Sequence, residues 1–196
     1  MAMKIHRRVA TKGLVEKAVA SLGVAIALIA ISPSARADTS NVRPSVQVGF
    51  SPEGSAARLV VDVIDRSERE IRVMAYSFTS PEIARALMAA KRRGVDVQVV
   101  VDAGESRSRA ATAALDLLSN AGIGVRLNSQ YKIQHDKVIV ADGKHIETGS
   151  FNYSRAAATS NSENAIVLWN RPDVAAAYLD HWRSRWSSGT PFRSTY

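Results

Sequence analysis

Residues 136–148 leave the chain little local freedom. Val138, Ile139 and Val140 are apolar and β-branched, so 136–141 predicts a strand. Asp142-Gly143 follows, a dipeptide that strongly favours a two-residue hairpin turn. Residues 144–148 then return as the partner strand. Around this hairpin lie His135, Lys137, Asp142, Gly149, Ser150 and Asn152, in the pattern H-x-K-x4-D-x6-G-S-x-N. Chance supplies such a pattern on the order of 10⁻⁸ times per starting position, at roughly 5% usage of each residue type.

The spacing has a chemical reading. Residues two apart on a strand share a face, so His135 and Lys137 point the same way. An imidazole that attacks or protonates, beside an ammonium that neutralises charge, suits an anionic group. Gly149 lets the backbone approach a ligand closely. Ser150 and Asn152 supply neutral donors for phosphate oxygens. The hairpin returns these donors to the His135 end, so the segment builds one phosphate site. Asp142 is accounted for by the turn and is expected to be structural.

The rest of the chain alternates. Strands are expected at 46–50, 71–77, 95–102, 124–127 and 164–169, and helices at 53–66, 80–93, 105–120 and 172–186. Ser80-Pro81 starts its helix as cap and first-turn proline, and Gly94 stops it. The continuous apolar run 95–102 reads as a strand buried on both faces. Alternating elements imply an α/β fold. It is a single layered domain with a mixed, mostly parallel central sheet flanked by helices. Residues 154–162 form a loop or short helix beside the site, and 187–196 a polar tail. Val174, Tyr178, Trp182 and Trp186 make one stripe of the last helix, which reads as core rather than as a base-stacking surface. Lys91-Arg92-Arg93 suits a solvated helix C-terminus.

Residues 1–37 read as a secretory signal peptide. Lys4, Arg7, Arg8, Lys12 and Lys17 precede a mostly apolar run at 19–31, and Ala35-Arg36-Ala37 fits a small-x-small cleavage site before Asp38. The working domain is therefore 38–196, and the periplasm is the expected location. Removing 1–37 leaves 20 basic against 17 acidic residues, from 26 and 18 in the whole chain. That balance is too even for global attraction to nucleic acid, so any positive patch must be local. There are no cysteines. His145 and His181 lack partners at metal-ligand spacing, and Gly122-Ile123-Gly124 lacks the later glycine of a dinucleotide loop. No metal and no cofactor is expected.

The motif resembles the signature of the phospholipase D superfamily, whose members break or exchange phosphodiester bonds. Ser162-Glu163-Asn164 before an apolar strand extends the likeness to the small bacterial nucleases of that superfamily. The resemblance implies that His135, Lys137, Ser150 and Asn152 are catalytic. It also implies that Glu163 holds His135 by its other ring nitrogen. The family chemistry uses two histidines on opposite sides of one phosphorus. This chain has one such motif, so the resemblance implies a homodimer with its site on the twofold axis. The expected substrate is DNA or RNA, cut without a metal and with little sequence preference. A phospholipid headgroup is the alternative. No amphipathic membrane helix and no exposed apolar loop is expected near the motif, so no stable membrane association is expected. A non-catalytic binding module would not need the paired nucleophile.

Overall fold

The computed structural model describes residues 45–194 and 196. The proposed signal peptide and its cleavage site lie outside these residues. The order is β1 (Ser45–Ser51), α1 (Ser55–Asp65), β2 (Glu70–Ala75), α2 (Pro81–Arg92), β3 (Asp96–Asp102), α3 (Arg109–Asn120) and β4 (Gly124–Asn128). There follow β5 (Lys137–Ala141), β6 (His145–Gly149), α4 (Arg155–Thr159), β7 (Glu163–Trp169), α5 (Pro172–Ser188) and β8 (Thr190–Pro191). The strands form one sheet in the order β1-β7-β6-β5-β2-β3-β4-β8.

The sheet is mixed, but its pairings are mostly antiparallel. Among the described strands, parallel pairing is confined to β2–β3 and β3–β4. These are the neighbours joined by the crossover helices α2 and α3. The hairpin makes β5–β6 antiparallel, and β7, β1 and β8 pair the same way with their neighbours. The sequence expectation of a mostly parallel sheet followed from the alternating first half. It overlooked that β5 inserts between β6 and β2, antiparallel to both.

Two apolar layers cover the sheet. Alternate residues Ile71, Val73, Val97, Val99, Ile139, Ala165 and Val167 face the layer built with α1, α2 and α3. Met74, Val100, Val138, Val140 and Ile146 face α5, where Val174, Tyr178, Trp182 and Trp186 pack. That places the aromatic stripe in the core, as its spacing predicts. Two turns differ from the sequence reading. Asp102 Oδ1 accepts the Glu105 N–H at 2.8 Å, which holds a short 3-10 turn at Glu105–Arg107 and delays α3 to the Ser108 cap. The polar tail also adds β8, with the Phe192 N–H donating to the Val125 carbonyl.

Candidate active site

The hairpin is one residue longer than a two-residue turn. Ala141 pairs with His145, and the Lys144 N–H donates to the Ala141 carbonyl at 3.1 Å. Asp142 and Gly143 have φ of 54° and 65°, as a type I′ turn requires. Asp142 spends its carboxylate on the fold. Oδ1 accepts the N–H groups of Arg69 at 2.8 Å and Glu70 at 3.1 Å, and Oδ2 that of Glu68 at 3.0 Å. Burial opposes the charge, but these bonds and the Arg69 guanidinium outweigh it and lower the Asp142 pKa. Asp142 sits five residues beyond Lys137, about 17 Å away at the usual strand rise.

The other end of the hairpin carries the site. His135, Lys137, Gly149, Ser150, Asn152 and Glu163 line one open depression. Strand β5 begins at Lys137, one residue later than expected, so His135 lies just before it. The segment stays beside β2, because the Tyr76 N–H donates to the Asp136 carbonyl at 2.8 Å. Lys137 Nζ donates back to the His135 carbonyl at 3.0 Å. Burial pulls the Lys137 pKa down, and the carboxylates of Asp136 and Glu163 pull against it. Asn152 Oδ1 is buried and has no hydrogen-bond partner among the described residues.

Three assignments change in detail. Gly149 is required by the neighbouring strand: a Cβ there would stand 2.3 Å from the Asn164 carbonyl oxygen. The Ser150 hydroxyl donates to Glu163 Oε2 at 2.6 Å and accepts the Asn164 N–H at 3.0 Å, so it must rotate to donate to a phosphate. The expected bond between Glu163 and His135 is absent within one chain. Besides Ser150, the Glu163 carboxylate accepts from Asn161 Nδ2 at 3.0 Å.

Tyr76 is a site neighbour that sequence reasoning missed. Its ring lies 4.5 Å from the His135 ring, with Lys137 Nζ 5.2 Å away. Glu105 first, then burial and Asp102, raise the pKa of its phenol. No local pattern marks Tyr76; only the β2–β5 pairing brings it there. The remaining described histidines are elsewhere. His181 meets Asp136 at 3.1 Å from α5, and His145 Nδ1 accepts the Asn170 N–H at the far end of β6. Among the described residues, no His, Asp and Glu cluster that could hold a metal is present. One further expectation needs correcting. Tyr131 and Ile133, just before His135, are 41% and 49% exposed. An apolar loop does flank the motif, with Arg185 4.8 Å over the Tyr131 ring.

The family described as "Cardiolipin synthase, PLD-like domain" matches residues 60–186. The chain is a member of the phospholipase D superfamily. A phospholipase D from Rickettsia felis is 35% identical over 147 residues, which span 75% of this chain and 72% of that protein. A mitochondrial cardiolipin hydrolase from Xenopus laevis is 30% identical over 71% of this chain and 64% of its own length. The crystal structure of Nuc, a phospholipase D family member from Salmonella typhimurium, superposes with a TM-score of 0.77 at 54% identity. That match covers 78% of this chain and all of Nuc (100%). NucT from Helicobacter pylori shares the fold, with a TM-score of 0.65. The protein is thus a phosphodiesterase of this superfamily, and the depression around His135 is its candidate active site.

Proposed function

We propose that the protein is an exported, non-specific nuclease that hydrolyses DNA and RNA phosphodiester bonds through a phosphohistidine, at a site shared by two copies. The observation that carries this is the depression itself. It gathers His135, Lys137, Ser150, Asn152 and Glu163, and it holds one histidine. Its lining residues are polar apart from Gly149, and it is open enough to admit a strand's phosphate.

In this mechanism His135 of one copy attacks phosphorus, and a P–N bond forms as the bond to the leaving oxygen breaks. His135 of the second copy, as imidazolium, protonates that oxygen. It then takes a proton from water. The resulting hydroxide attacks the phosphohistidine, the P–N bond breaks, and a phosphomonoester leaves. Lys137 and Asn152 of both copies, with Ser150 once rotated, neutralise the transition state. Glu163, held near Lys137 by Ser150 and Asn161, is the carboxylate that can steady an imidazolium when the second copy closes the site.

A phospholipid headgroup is the second reading. Exposed Tyr131 and Ile133 beside His135 favour it, as do the names of the Rickettsia and Xenopus relatives. Purified protein incubated with supercoiled plasmid and with phosphatidylcholine vesicles separates the two. Nicking that persists in EDTA is expected. General acid–base steps contribute about 10²–10⁴ without a metal, so a loss beyond about tenfold that a divalent ion restores contradicts the metal-free mechanism. Lipid turnover with plasmid left intact replaces the nuclease reading. Export is tested by N-terminal sequencing of periplasmic material, where Asp38 should come first.

A further inference from the structure

Glu147 lies in β6 two residues before Gly149, facing the α1 layer, and is fully buried. Its Oε2 accepts the Tyr153 hydroxyl at 2.7 Å, and its Oε1 has no partner. Tyr153 is also fully buried, beneath the loop that carries Ser150 and Asn152. An apolar pair of similar volume would fill this space at less cost than a carboxyl and a phenol. General packing therefore does not explain the residue types.

The loop geometry does. At its start, the Ser150 and Phe151 N–H groups both donate to the Asn164 carbonyl, at 3.1 and 3.2 Å. At its end, the Tyr153 carbonyl accepts the N–H groups of Thr79 and Ser80, both at 2.9 Å. Between these anchors, the Glu147–Tyr153 bond ties the end of the loop back to the strand it left. Ser150 and Asn152 stand on the rim of that closed ring.

We propose that Glu147 and Tyr153 are positioning residues for the phosphate site, a buried carboxyl and phenol that touch no substrate but fix the loop bearing Ser150 and Asn152. Burial, opposed by the Tyr153 hydroxyl, moves the Glu147 pKa up to about 8, so the bond is made by a neutral acid at pH 7. The titratable groups on its own strand, on the flanking strands β5 and β7, and on α1 above it are His145, Lys137, Glu163, Arg58, Asp62 and Asp65. None of these contributes to the shift.

The inference rests on the phosphodiesterase reading of the site and not on nucleic acid as substrate. The test uses the full chain and bis(4-nitrophenyl) phosphate, with Glu147→Gln, Glu147→Met, Tyr153→Phe and the double variant Glu147→Met/Tyr153→Phe. Glu147→Gln keeps a neutral acceptor for the phenol, so kcat should stay within twofold of wild type. Glu147→Met and Tyr153→Phe should lower kcat about tenfold or more, with a smaller change in KM, since small misplacements of catalytic groups are costly. The double variant should melt close to wild type, because replacing both partners removes the orphaned group. Its kcat should nevertheless stay low. Recovery of both stability and kcat in the double variant would reduce the pair to packing and overturn the proposal, as would a Gln variant as slow as the Met variant. Should wild type fail to turn over the diester, the phosphodiesterase reading fails. The same variants are then ranked by inorganic phosphate affinity, where equal affinities overturn the positioning role.

Discussion

Glu147→Gln should change how stability depends on pH. In the fold the carboxyl titrates near 8, against 4.5 for an unperturbed Glu. Its folded pKa is raised, so the stability it contributes is fully present below the unfolded value. That stability is lost as pH rises through the folded value. Between 4.5 and about 8 the unfolded chain has released this proton and the native chain has kept it. Each pH unit in that window then costs about 1.4 kcal/mol. From pH 5.5 to 7.5, wild type should lose about 3 kcal/mol relative to Glu147→Gln. For a domain of this size that is roughly a 5–10 °C change in the difference between their melting temperatures. Thermal or urea melts of both proteins at half-unit steps from pH 4.5 to 9 measure it, and groups common to both cancel in the difference. The difference should slope through the window and flatten above about pH 8. A flat difference throughout would mean that the carboxyl is not held neutral, and the reasoning about the Glu147–Tyr153 bond would fail.

His135→Asn should abolish phosphodiester cleavage and leave the melting temperature near wild type, since His135 is exposed and its side chain makes no hydrogen bond among the described residues. His145→Asn should keep most activity, because its ring binds the Asn170 N–H at the far end of β6. Gly149→Ala should destabilise by about 1–3 kcal/mol in chemical denaturation, since its Cβ would press on the Asn164 carbonyl. Asp142→Ala should cost about 1 kcal/mol for each lost backbone bond while folded protein remains active. The Asp142 pKa is depressed, so the gap between wild type and Asp142→Ala should be full above the ordinary carboxylate pKa. It should close as pH falls through the folded value.

The hairpin was legible because turn chemistry and β-branched residues are local signals. Its extra residue was not, because Asp142 serves partners at 68–70 that only the β2–β5 pairing brings near. The motif residues could be named from spacing, yet two of their local roles are tertiary. Gly149 answers to the backbone of β7, and the Ser150 proton answers to Glu163. Tyr76 and Glu147 carried no signal at all. A tyrosine after a strand and a glutamate within one read as ordinary until the sheet sets Tyr76 beside His135 and Tyr153 beside Glu147. The parallel half of the sheet was readable from its helical crossovers. The antiparallel half depends on where β5 inserts, which is a property of the whole sheet.

The shared site is tested most directly by mixing chains. Wild type and His135→Asn, refolded together in equal amounts with exchange verified by a tag, give one quarter wild-type, one half mixed and one quarter mutant dimers under random association. If each phosphate needs His135 from both copies, mixed dimers are inactive. Activity should then be about a quarter of that of wild type at the same total protein. A value of about one half, with exchange proven, would mean that a single chain holds a complete active site, and it would contradict the account.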